Sequence, residues 1–244
     1  MDLVLTEEQT LLQQTVREFV AGRSSLKRIR ALRDGGDRDG FSRPLWTEMA
    51  RLGWVGITIP VEHGGVGLGA LDLMVVMEEL GRGLMPEPML GTVLLGAPAL
   101  LLGGSPAQQA AHLPAVAGGG RLLAVAYAEP RSRHDPHHVE TRAERTGGGW
   151  TLRGEKVHVA DGPVADWLVV SARTAGGARD PEGITLFLID AHAPGVTVTP
   201  TVRLDHRPAA RLHLDGVRVD AAAVLGAPDR GGALLDCILD RAAI

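Results

Sequence analysis

Leu122-Leu-Ala-Val-Ala-Tyr127 followed by Ala128-Glu-Pro-Arg-Ser-Arg-His-Asp135 is the stretch whose reading decides the fold. A continuous apolar run that ends abruptly in Pro, Arg, His and Asp is the pattern of a buried strand delivering a polar loop. Downstream, Gly147-Gly-Gly149 marks a turn, and Trp150-Thr-Leu-Arg153 and Lys156-Val-His-Val159 read as extended segments. Asp166-Trp-Leu-Val-Val-Ser-Ala172 reads as a second buried strand. Further strands are expected over 184–189, 196–202 and 211–219, with turn residues between them, the spacing of a β-barrel or sandwich. Loops at strand ends carry most binding chemistry, so 128–138 is the first candidate site. Its Arg131, Arg133, His134, His137 and His138 are expected either to cradle phosphates or to form a solvated polar loop. A metal site from the three histidines would need further convergent ligands, and none is assigned.

Upstream of Gly118-Gly-Gly120 the periodicity is helical. Thr6-Glu-Glu-Gln9 has capping-box spacing, and Leu12, Val16, Phe19 and Val20 predict an amphipathic helix over 7–21. Residues 22–40 predict a short helix and an exposed loop. Ser42 caps a helix with Leu45, Met49 and Leu52 on one face, stopped by Gly53. Residues 54–60 read as a short buried segment, followed by the glycine-dense loop 62–69. A helix over 70–82 has Leu73, Val76, Met77 and Leu80 inward and Glu78-Glu79 outward, towards solvent or an interface. The apolar run 89–102 predicts one buried helix, and Ser105-Pro106 opens another. From Gly231 the helical period returns through Leu234, Leu235, Ile238 and Ala242. The expected fold class is therefore α+β: an all-α helical unit (1–119), a β-barrel unit (120–228) and the start of a further helical unit (229–244).

The 244 residues are 45% hydrophobic and 22% charged, with a net charge of −4. That balance gives no electrostatic case for nucleic acid or an anionic membrane. No apolar run reaches the ~20 residues that span a bilayer. One cysteine, Cys237, allows no internal disulfide and fits a reducing compartment, so a cytoplasmic location is expected. Gly64, Gly65 and Gly67 lack the strand–turn–helix frame of a dinucleotide-binding loop and are read as tight turns.

Trp46-x-x-Met49-x-x-x-Gly53, Ile59-Pro60-x-x-x-Gly64-Gly65-x-Gly67, Glu78-Glu-Leu-Gly-Arg82 and Gln109-x-x-x-Leu113-Pro114 resemble the N-terminal domain of acyl-CoA dehydrogenases. Ala128-Glu-Pro130, Gly154-x-Lys156, Ala165-Asp-Trp167, Gly183-Ile-Thr-Leu-Phe187 and Pro194-Gly195 resemble the middle β-domain of that family. Leu225-Gly226 and Leu239-Asp-Arg241 resemble the entry to its last helical domain. The resemblance implies FAD, an acyl-CoA substrate oxidised to a trans-2-enoyl-CoA, electrons passed to an electron-transferring flavoprotein, and a homo- or hetero-oligomer. It places Tyr127, Ala128, Arg133, His134, His158 and Ala160 against the flavin and Asp240, before Arg241, where a minority of members carry the base. Asp in place of Glu sets that carboxylate back by about 1.5 Å, one C–C bond. A surface ion pair of Asp240 with Arg241 is the alternative, as is a base in residues beyond this chain. The chain departs from the family pattern: Ala128 stands for Thr, Arg133 for Gly, His134 for Ser, His158 for Trp and Ala160 for Thr. These departures leave open a non-catalytic or flavin-poor partner subunit, or an acyl-CoA oxidase or flavin monooxygenase on the same fold.

Overall fold

The computed structural model describes residues 4–36, 39–205 and 207–243. Helices α1 (Glu7–Arg23), α3 (Arg43–Arg51) and α4 (Ala70–Arg82) build the first core, while α2 (Leu26–Asp34) has no buried residue. Thr6 and Gln9 close the predicted capping box, and Ser42 caps α3 through the Leu45 N–H. Val16 and Val20 of α1 meet Trp46 and Met49 of α3 and Leu73, Val76 and Leu80 of α4 in one buried cluster. Leu52 is not part of it; it sits at the C-terminal end of α3 with 46% of its surface exposed. Glu79, expected to face outward, is buried at 1% exposure and takes a two-pronged ion pair from Arg17 of α1. The α1–α4 contact removes the solvent that the sequence position suggests, and only the fork of an arginine supplies two matched donors there.

Residues 89–102 do not form a single regular helix. Met89–Gly96 is π-helical, and an α-helix, α5 (Ala97–Gly103), continues from it. Pro98 has no N–H, and its ring would crowd the Leu94 carbonyl in α-helical register. The wider turn avoids that clash, with the Ala97 N–H donating to Thr92 O, five residues back. Two glycines let this wide turn pack closely. A Cβ on Gly91 would lie 2.9 Å from Asp161 Cβ, and one on Gly96 would overlap Leu123. Helix α6 (Pro106–Ala117) then leads to the sheet.

Eight strands follow: β1 (Leu123–Ala126), β2 (Arg142–Thr146), β3 (Gly149–Ala160), β4 (Trp167–Arg173), β5 (Ile184–Asp190), β6 (Val196–Thr201), β7 (Ala209–Asp220) and β8 (Val224–Leu225). Their order is β6-β7-β3-β2-β4-β5-β8, with β1 pairing parallel to β4. The sheet is open, not the closed barrel expected from the strand count: β6 and β8 are its two ends. The link between its halves is narrow, since β2 meets β4 only at Arg142 and Arg173. The segments 150–153 and 156–159 are one strand, β3, irregular between Lys156 and Val159. Strand β2 was not foreseen; only Ala143 in it is buried, so its polar sequence lacks an apolar signal.

Period-two alternation explains how the halves pack. Ala124, Ala126, Leu168, Val170, Phe187 and Ile189 face Trp150, Leu152, Leu212 and Leu214 of the other half. Their neighbours Leu123, Val125, Val169, Leu186 and Leu188 turn to the helices and meet Leu95, Leu100, Leu113, Leu235 and Ile238. Burial on both faces is what makes 122–127 and 167–172 continuous apolar runs. Helix α7 (Gly231–Ala242) closes this second interface. Among the described residues, no helix is long and apolar enough to cross a membrane.

Candidate functional site

Strand β1 ends at Ala126, and the chain then turns through 127–141 before β2 begins. Glu129 is the anchor of this loop. It is 5% exposed, and its Oε1 accepts from Lys156 Nζ at 2.7 Å and from Thr141 N at 3.1 Å. Oε2 accepts from Glu140 N at 2.7 Å. Lys156, with no exposed surface, also donates to Ser171 Oγ at 2.8 Å and reaches Tyr127 O at 3.5 Å. Burial pushes the Glu129 carboxyl up, but the Lys156 charge, its hydrogen bond and the two backbone donors outweigh that and hold it below the usual range. Burial dominates at Lys156, lowering it to about 8 against the pull of Glu129. Both groups therefore carry charge at neutral pH.

Ser132 ties the loop to itself: its hydroxyl donates to Glu129 O and accepts from Glu129 N. Arg133 and His134 then adopt left-handed backbone, with φ of 48° and 71°. Among the described residues, the N–H groups of Ala128, Arg133 and His134 find no acceptor. His158 is left-handed too, with φ 53°, and lies exposed in the irregular part of β3. Further up the loop, Arg173 is buried and gives all its N–H groups to carbonyl oxygens, those of His137, Val139, Ala178, Asp180 and Glu182. That guanidinium fixes the far side of the loop.

An open cleft of about 710 Å³ lies at the strand ends, lined by Tyr127, Ala128, Ser132, His134, Asp135 and His158 together with 203–205. Four of the six residues placed by sequence against a cofactor thus share one cavity. Arg133 is exposed and Ala160 pairs with Ala209 in the β3–β7 ladder; neither lines the cleft. The Arg and His side chains of the loop do not converge into a phosphate cradle. Arg131 points to Glu140, His137 Nε2 meets Asp236 Oδ1 of α7 at 2.8 Å, and His138 packs inward beside Glu140. Among the described residues there is no group of three or more His, Cys, Asp or Glu able to hold a metal. Asp240 and Arg241 are both exposed on α7, with no ion pair between them.

Sequence reasoning missed Glu129, Lys156 and Asp161. The last, also left-handed, is 3% exposed and accepts from Gly91 N at 2.8 Å, joining β3 to the π-helical segment. Burial raises its carboxyl to about 6, with the Gly91 N–H and the charges of Arg207 and Arg203 opposing. The signal available for the first two was their setting: Glu129 directly follows the apolar run 122–127, and Lys156 stands within an extended segment.

A free backbone donor set beside a cleft of this size suits a small-molecule site. The family description "Acyl-CoA dehydrogenase, N-terminal domain" matches residues 6–120, and "Acyl-CoA dehydrogenase, middle domain" matches residues 124–217. Mitochondrial isovaleryl-CoA dehydrogenase of Pongo abelii is 32% identical over 97% of this chain and 57% of its own length. A glutaryl-coenzyme A dehydrogenase solved with glutaryl-CoA superposes with a TM-score of 0.89 at 29% identity, over 99% of this chain and 62% of that one. A glutaryl-CoA dehydrogenase of Mycobacterium smegmatis, solved with FADH2, gives 0.86 at 27% identity, over 98% and 60%. The chain thus spans about three fifths of the length of the relatives it matches. With helices, sheet and strand-end loop all in the same order, this chain belongs to the acyl-CoA dehydrogenase family.

Proposed function

We propose that this chain supplies the flavin- and thioester-binding part of an FAD-dependent acyl-CoA dehydrogenase, which forms a trans-2-enoyl-CoA and passes electrons to an electron-transferring flavoprotein. The observation that carries the reading is the strand-end cleft with unpaired N–H groups at Ala128 and His134. FAD, when bound, supplies the hydride acceptor. The chain's own part is to hold and orient. Backbone donors of 128–134 would hold the ring system, with Tyr127 and His158 lining the cleft beside it and Ala160 at the end of β3. In this reading Asp240 is the proton acceptor at the substrate α-carbon. The units 1–119, 120–228 and 229–244 act as helical wall, flavin platform and first turn of the facing helices. Exposed apolar side chains along 61–74, with Val61 at 71% and Leu71 at 52%, offer a surface for a protein partner.

Purified chain, loaded with FAD and desalted, is expected to keep flavin absorbance and to bleach on adding an acyl-CoA under argon. Loss of all flavin on desalting would sink the reading for this chain. A second reading, a flavin-poor subunit of a heteromer, draws on the missing hydroxyls at Ala128, His134 and Ala160. It predicts that flavin is retained only with a partner chain present.

A further inference from the structure

Lys156 and Glu129 have been withdrawn from water almost completely, at 0% and 5% exposure. A buried ion pair adds little net stability compared with apolar side chains of the same volume, because desolvation offsets the attraction. Stability alone therefore does not explain why two charges occupy this place. Their geometry does. Lys156 Nζ stands between three strands: it bonds Ser171 Oγ on β4, approaches Tyr127 O at the end of β1, and belongs itself to β3. Glu129 takes that charge and turns its remaining lone pairs to Glu140 N and Thr141 N, closing the loop between β1 and β2. Within the closed loop lie Arg133 and His134, whose left-handed backbone persists only where the surroundings over-determine it.

We propose that Glu129 and Lys156 are positioning residues for the cofactor, holding the backbone of 127–134 so that the free N–H groups of Ala128 and His134 stay in register with the cleft. The proposal rests on the flavin reading of that cleft. Neither side chain lines the cavity, so both act through the backbone they restrain. A carboxylate is suited to this because it accepts from an ammonium and from two backbone donors at once. An apolar pair would fill the volume but leave Glu140 N and Thr141 N without acceptors.

The test is the full chain carrying both Glu129→Gln and Lys156→Met, which removes the charges while keeping an acceptor for one of the two backbone donors. FAD binding, followed by flavin fluorescence quenching, is expected to weaken at least tenfold, and the absorption band of any bound flavin to shift. Amide exchange at 128–134 should accelerate at least tenfold while α4 and β4 keep wild-type protection. Glu129→Asp, which retains the charge, should recover part of both losses. Unchanged exchange at 128–134 with normal FAD binding would overturn the positioning role. Faster exchange with unchanged FAD affinity would overturn the link to the cofactor. A wild-type chain that takes up no FAD would instead overturn the flavin reading, and with it the cofactor part of the proposal. Should the double variant fail to fold, Ser171→Ala removes one Nζ partner and carries the same comparison, with a two- to threefold change expected.

Discussion

Strands β4 and β6 belong to one sheet, yet physics treats them differently. Strand β4 is buried along nearly its whole length, pressed between the other half-sheet and the helices. Strand β6 is an end strand with mostly exposed residues, and it carries Pro200. A proline withdraws a ladder donor, so it is tolerated at an edge and not in the middle. The Arg173 hub ends β4 in the doubly covered half, whereas the Glu129–Lys156 pair and the cleft lie where the two halves meet, between the end of β1 and β3. Dry surroundings strengthen the hydrogen bonds by which buried charges hold a loop.

The contrast can be broken most forcefully at Lys156. The single change Lys156→Met leaves Glu129 buried and unpaired, which should cost about 3–5 kcal/mol. A chemical-denaturation midpoint equal to wild type would show that the pair is not buried as described. Next in size is Leu186→Ala, in the strand covered on both faces. Its side chain is fully buried against the helices, so about 2–5 kcal/mol should be lost, read by the same titration.

Asp161→Asn should act in the opposite direction and sharpen the picture of the junction between π-helix and sheet. The native carboxyl titrates near 6, above its ordinary 3.8. Between those values the unfolded chain has released its proton and the folded chain has not, so the carboxyl's contribution is present at low pH and lost as pH rises through 6. Asn keeps an acceptor for Gly91 N without the charge. Stabilisation of up to about 3 kcal/mol is expected at pH 7.5, shrinking towards zero at pH 4. Equal effects at both pH values would contradict the burial of this group. At the small end, Thr199→Val on the exposed face of β6 should change stability by no more than about 0.5 kcal/mol, as measured by melting. A large loss there would mean that β6 is covered in solution.

Much of this architecture was written locally. Thr6 with Gln9, Ser42, and Ser105 with Pro106 marked helix starts that α1, α3 and α6 occupy, because a cap needs only residues three or four positions apart. The 70–82 helix and the strands around 123–126 and 167–173 were legible for the same reason: each repeats its burial along its own length. Strand β2 was not, since Arg142-Ala-Glu-Arg-Thr146 has one buried residue and no period to read. At the site, the resemblance pointed to Tyr127, Ala128, His134 and His158, which do share a cleft, whereas Arg133 and Ala160 stand outside it.

By itself, then, the sequence determined most helices, most strands and the strand-end loop. Only the tertiary structure decided that the sheet stays open, that 89–96 widens into a π-helix over Leu123 and Asp161, and that Glu79, Glu129, Lys156 and Asp161 lie buried. The physical reason is one of range. Caps and periodicity are set by neighbours along the chain, while the burial of a charge depends on a partner such as Arg17 for Glu79, 62 residues away, or Lys156 for Glu129, 27 residues away.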